Sequence, residues 1–222
     1  MNKILLTTAA LVTISINAFA EDVQYSHDKS KHTSTYMRMD LLGHKFQKSS
    51  ADGVTYKNQN YSYGADFGLG YHLTDKIRAE LIYNHNFITR FKTNGVKNNA
   101  SKGKANIKAA FARIMFDVIS FEKTKFFVGA GAGFSRTAYK LNTSSAASTG
   151  KYEAKNKNNF AYSLHAGAAM DIVEGVMLEA TWGMRNYGRT QSLTDSKSSN
   201  KLNNSKMKLR SQLVSVGLRF DV

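Results

Sequence analysis

The 222-residue chain contains no cysteine, no proline and a single tryptophan, and it has about half as many acidic side chains as basic ones, 16 against 31. Without cysteine no disulfide can stabilise the fold, so a core or a sheet has to do so. The absence of proline leaves every backbone amide able to donate to a strand ladder. Beyond residue 20 no window of eighteen or more apolar residues occurs, which excludes a membrane-crossing helix. The shortage of acid leaves a formal charge of +15, which bears on solubility and on anionic partners rather than on fold.

Residues 1–20 read as an export signal. Lys3 is their only charge, Ile4 to Ile16 is apolar apart from small polar residues, and Ala18-Phe19-Ala20 supplies the small-x-small pattern of a cleavage site. The apolar run is too short to cross a hydrocarbon core of about 30 Å, so an anchor is the weaker alternative. The expected organisation is a cleaved signal at 1–20, a polar segment at 21–35 and a single barrel domain at 36–222.

From Tyr36 onward a unit of about ten residues, alternating apolar with polar or small, recurs eight times, as in the strands of a membrane β-barrel. The predicted strands are Tyr36 to Phe46, Tyr61 to Leu73, Ile77 to Phe87, Ala105 to Phe116, Phe126 to Arg136, Phe160 to Ile172, Val176 to Tyr187 and Leu209 to Val222. The fourth is ambiguous, because Lys108 to Phe121 also fits an amphipathic helix. An even strand number lets the first strand pair with the last, so that no sheet edge meets lipid. The fold class is therefore all-β: a transmembrane eight-stranded antiparallel up-and-down barrel with four long extracellular loops. Tyr63, Phe87, Phe134, Tyr162 and Trp182 are among the outward aromatics near strand ends that suit interfacial girdles.

The inward set carries Arg38, Arg78, Arg113, Arg185 and Arg219 against Asp40, Asp66, Glu80, Glu179 and Asp221. Eight strands enclose only enough room for side chains or one small ligand, which favours a closed lumen of paired charges over a narrow pore. The connections at 47–60, 88–104, 137–158 and 188–207 are long and rich in Lys, Asn, Ser and Thr. Loop two, with Arg90, Lys92, Lys97, Lys102 and Lys104, holds +5. Loop three, with Lys140, Lys151, Lys155 and Lys157 against Glu153, holds +3, as does loop four, with Arg189, Lys197, Lys201 and Lys206 against Asp195. With +1 from loop one, the loops hold +12 of the +14 left after the signal is removed. Such charge suits both anionic lipopolysaccharide and capture of an acidic partner. The aromatic interleaving of a single-strand nucleic-acid binder is missing.

Three motifs invite chemistry. Gly129-Ala130-Gly131-Ala132-Gly133 resembles a phosphate loop, but its period of two and the lack of a following helix fit a strand whose glycines make room for bulky lumen neighbours. Ser163 and His165 share the inward face, as a nucleophile and base would, although a satisfied interior histidine is the simpler account. The order Ser-x-His facing the lumen also reverses the lipid-facing His-x-Ser of outer-membrane deacylases. His27 and His32 in the polar segment, two histidines five apart without further fixed ligands, make a poor metal site. Neither an enzyme, a metal nor another cofactor is expected.

The run Tyr36-Met37-Arg38-Met39-Asp40, the segment Arg78-Ala79-Glu80-Leu81, the strand Val128 to Gly133 and the closing Val216-Gly217-Leu218-Arg219-Phe220 resemble small outer-membrane barrels of the OmpX and opacity-protein type. Among these the chain looks most like the Adr-type surface adhesins of rickettsiae. The resemblance implies a monomeric adhesin in the outer membrane whose extracellular loops bind a host protein, notably vitronectin, aiding attachment and resistance to complement. Carried onto this chain, partner binding falls on Lys140, Lys151, Lys155, Lys157, Arg189, Lys197, Lys201 and Lys206, with Arg90, Lys92, Lys97 and Lys102 as auxiliaries. Stabilisation of the lipopolysaccharide leaflet and lipid A modification are the alternatives.

Overall fold

The computed structural model describes residues 35–51, 54–58, 61–96, 99–144, 149–192, 194–195 and 206–222. The predicted signal and nearly all of the polar segment lie outside the described residues. The described residues form eleven strands: β1 (Thr35–Phe46), β2 (Ser49–Ala51), β3 (Val54–Asn58), β4 (Ser62–His72), β5 (Ile77–Val96), β6 (Asn99–Ser120), β7 (Thr124–Ser144), β8 (Thr149–Val173), β9 (Val176–Arg189), β10 (Thr194–Asp195) and β11 (Lys208–Asp221). Eight of them, β1, β4, β5, β6, β7, β8, β9 and β11, close a ring of antiparallel neighbours. Closure is made by the first and last strands, with Tyr36 opposite Asp221 and Phe46 opposite Ser211. A spanning sheet needs that closure, since an open edge would leave unpaired amides and carbonyls in hydrocarbon.

The alternation that marks the sequence appears as alternation of burial. Along β1 the pattern is strict from Thr35 to Leu42, with Met37, Met39 and Leu41 outside and Tyr36, Arg38, Asp40 and Leu42 inside. The segment that also fitted a helix is strand as far as Ser120, because it pairs with β5 and β7, with one register shift between Asp117 and Ile119, and buries Phe111, Arg113 and Met115 in the lumen. At one rim the turns are tight. Val173 pairs with Val176 around Glu174-Gly175, and Gly175 has a φ of 75°, a conformation that only glycine adopts without strain.

The opposite rim differs from expectation. The sequence places the strand ends flanking loops two and three at Phe87, Ala105, Arg136 and Phe160, yet β5 runs on to Val96, β6 starts at Asn99, β7 reaches Ser144 and β8 starts at Thr149. A strand of 22 residues such as β6, tilted by about 40°, rises about 55 Å, roughly twice the apolar band of a barrel. These loops are therefore β-ribbons that prolong the wall. The hairpin of β2 and β3 pairs onto β5, and β10 pairs onto β8, so the prolonged sheet takes in parts of all four loops. Thr and Tyr in these stretches suit strands, but turn-rich Asn, Ser and Lys hide the pattern from a reading by composition.

Candidate functional site: the basic rim above a filled lumen

The lumen is packed in layers. At its centre Glu179 accepts from Arg78 and Arg219, each at 2.8 Å, and lies 3.0 Å from Arg38. Arg38 also meets Glu80 and Asp40, both at 2.8 Å, and the Tyr36 hydroxyl donates to Glu80 at 2.8 Å. Asp66 holds a second cluster: Arg113 donates at 2.8 Å, Asn84 at 2.6 Å, and Arg185 through both terminal nitrogens. Asp221 is the member nearest solvent, 3.5 Å from Arg219.

Two apolar layers enclose these charges. On the extracellular side Phe46, Phe91, Ile107, Phe111, Tyr139 and Tyr187 form a buried cluster, and towards the short turns Met115, Phe127, Ala169 and Met177 form a smaller one. Guanidinium groups stack where the layers meet, Arg78 over Phe127 at 4.8 Å and Arg185 over Phe111 at 5.4 Å. The sequence reading gave the lumen to charge alone and missed this apolar lid. Its signal lay in the inward alternation of Ala105, Ile107, Ala109 and Phe111 within the fourth predicted strand, whose inward face was read at Arg113 alone.

The remaining chemical candidates are not assembled for catalysis. Ser163 and His165 are buried in the lumen, and neither the Ser163 Oγ nor a ring nitrogen of His165 has a hydrogen-bond partner among the described residues. A nucleophile needs its base within hydrogen-bond reach and a route for substrate; the lid and the ion pairs fill the space on both sides. No cluster of three metal-ligating side chains occurs among the described residues. The glycines of β7 face the lumen, where a Cβ at Gly129 would meet the Met115 side chain and one at Gly131 the Arg113 side chain.

The basic side chains lie on the prolonged wall and around it. Lys140 on β7 is exposed and paired with exposed Glu153 on β8 at 2.9 Å. Lys157 on β8 is half-buried, and Arg189 and Lys206 are exposed where β9 ends and before β11 begins. The backbone of Lys151 and Lys155 lies in β8. Lys197, Lys201 and Lys97 lie outside the described residues. On the neighbouring ribbon Arg90 is exposed, and Lys92 stands opposite Lys102 in register. Thr194 pairs with Glu153 and Asp195 with Tyr152, which brings the fourth loop onto the third. Lys108 and Arg136, two exposed cations below these, were passed over in the sequence as parts of spanning strands.

Comparison with known proteins matches residues 6–220 to the outer membrane protein beta-barrel domain family. A protein of Rickettsia typhi named a candidate adhesin is 29% identical over the whole of both chains, and another so named from Rickettsia bellii is 30% identical, again over the whole of both. Among solved structures, Neisserial surface protein A superposes with a TM-score of 0.51 at 16% identity, covering 85% of this chain and 97% of that one, a likeness of fold. A closed eight-stranded barrel with an apolar outer band, a filled lumen and a family match over nearly its whole length together show that the chain belongs to the outer membrane protein beta-barrel family and resides in the outer membrane.

Proposed function

We propose that this protein is an adhesin that binds a host extracellular protein, with vitronectin the foremost candidate, through the basic rim of its third and fourth loops. The observation that carries this reading is the full-length similarity to rickettsial proteins named candidate adhesins. The architecture supports it: the filled lumen offers no route for solute, whereas β10 on β8 gathers loops three and four into one exposed surface. Basic residues there speed encounter with an acidic partner, and salt screens the attraction over about 10 Å at 0.1 M. Captured vitronectin would in turn protect the cell from complement. Catalysis has no part in this reading.

The test is binding of purified vitronectin to the full chain refolded in lipid nanodiscs. Glutamine at Lys140, Lys151, Lys155, Lys157, Arg189, Lys197, Lys201 and Lys206 is expected to abolish binding, and raised salt to weaken the wild type. Serum survival of bacteria displaying each form is expected to follow binding. Absence of binding by the wild type, or unchanged binding by the variant, overturns the reading.

A further inference from the structure

The outer wall of β6 and β7 bears cations below loops three and four. Arg90 of β5 stands directly opposite Lys104 of β6, and Lys104 opposite Lys140 of β7. Four residues nearer the membrane, Lys108 stands opposite Arg136 on one side and His85 on the other. All five cations are exposed, whereas the alternate residues Phe91, Ala105, Ile107 and Tyr139 are buried inside. Cβ atoms of directly opposed residues lie only about 5 Å apart, so like charges there repel. Glu153 relieves Lys140; Arg90, Lys104, Lys108 and Arg136 have no carboxylate partner among the described residues. A ladder that places cation against cation on three consecutive strands is relieved by a bound polyanion.

Position selects the kind of anion. Arg136 lies two residues beyond Phe134, and Lys108 two residues before Ala110, so both stand at the edge of the outward apolar band. They are thus at headgroup level, with Lys104 about 13 Å further along the strand. Below them the wall recedes into a shallow hollow floored by Ala79, Ala112, Ala130 and Ala132 and edged by Leu81 and Ile114. Anchoring cations above an apolar hollow on the same strands match a phosphorylated headgroup carried on acyl chains. A soluble polyanion would complement only the upper half.

We propose that the β5–β7 wall binds a multiply phosphorylated, acylated glycolipid of the outer leaflet, its phosphates held by Arg90, Lys104, Lys108 and Arg136 and an acyl chain lying in the alanine hollow. The substitutions that test host-protein capture leave these four cations in place and the lipid probes contain no protein, so either reading can fail alone. The full chain, refolded in phosphatidylcholine nanodiscs, is titrated with bisphosphorylated lipid A, its monophosphorylated form and a dephosphorylated form, with bound lipid read by native mass spectrometry. Affinity is expected to fall in that order. Each cation near a membrane surface is worth about fivefold in affinity, so Lys108→Gln with Arg136→Gln is expected to weaken the bisphosphorylated lipid roughly 25-fold. Ala112→Leu with Ala132→Leu, which fills the hollow, is expected to weaken every acylated form and leave the phosphate order intact. Lys45→Gln with Arg210→Gln, exposed cations on β1 and β11, is the control expected to change affinity less than twofold. Heat-modifiable migration on gels verifies that each variant is folded. Equal affinity for all three lipids, or equal loss in the control, overturns the proposal. So does a sulphated oligosaccharide that displaces the lipid and depends on the same four cations, which assigns the wall to a soluble polyanion.

Discussion

Asp66→Asn is expected to destabilise the barrel more than any other single neutralisation of a lumen carboxylate. Asp66 is fully buried and takes donors from Arg113, Arg185 and Asn84. Arg113 has a second acid in reach, Glu80 at 3.8 Å, but Arg185 has no other carboxylate among the described residues. Neutralising Asp66 therefore leaves the Arg185 guanidinium with neutral neighbours alone, the Phe111 ring on which it stacks and the Tyr187 hydroxyl. Breaking a buried pair by removing one partner costs about 3–5 kcal/mol, mostly for the charge left behind. In urea unfolding in lipid vesicles this corresponds to a midpoint lower by roughly 2 M for a slope of about 2 kcal/mol/M. Glu179→Gln removes a carboxylate with three arginine partners, yet each keeps another acid: Arg38 keeps Asp40 and Glu80, Arg78 keeps Asp117, and Arg219 keeps Asp221. Its cost is expected to be smaller by at least about 1 kcal/mol. Asp66→Asn combined with Arg185→Met is expected to regain most of the loss, since the stranded charge is gone. A cost for Asp66→Asn below that of Glu179→Gln, or a double variant no better than the single, would refute this account of the core.

The filled lumen predicts no steady conductance from the wild type in planar bilayers, and a stable open level would contradict it. Phe111→Ala removes a fully buried ring of the lid and is expected to cost about 3–5 kcal/mol in the same unfolding assay. Gly70→Val places a side chain where the Tyr36 ring sits, and an overpacking cost of about 1–3 kcal/mol is expected. Protein recovered from outer membranes is expected to begin at Glu21 by N-terminal sequencing; a start at Met1 would overturn the assignment of residues 1–20 as a signal.

Much of the barrel was legible because a strand in lipid has one environment on each face. Leu178, Ala180, Trp182 and Met184 must be apolar outside, Glu179 and Arg185 face the lumen, and a period of two follows with no help from tertiary contacts. The ends of the strands were less legible. Above the apolar band the outer face meets water instead of lipid, so Lys92, Lys102 and Lys151 occupy strand positions in stretches whose composition resembles a loop, although Phe91, Tyr139 and Ala154 are buried on the inner face. The candidate cations of loops three and four were readable as charge. That Lys140 is tied to Glu153, and that β10 carries loop four to β8, depends on pairing across the chain.

Alternation, strand number and the excess of loop cations were determined by the sequence alone, since each is a local property of side chains repeated along one chain. Tertiary structure alone decided which arginine meets which carboxylate, because the carboxylates were countable but their neighbours depend on the stagger of eight strands. It decided the apolar lid for the same reason: Phe46, Phe91, Phe111 and Tyr187 are scattered along the chain, and only closure brings them to one level. The opposed rows of Lys104 with Arg90 and Lys108 with Arg136 likewise follow from register, and a shift of one residue would turn half of them into the lumen.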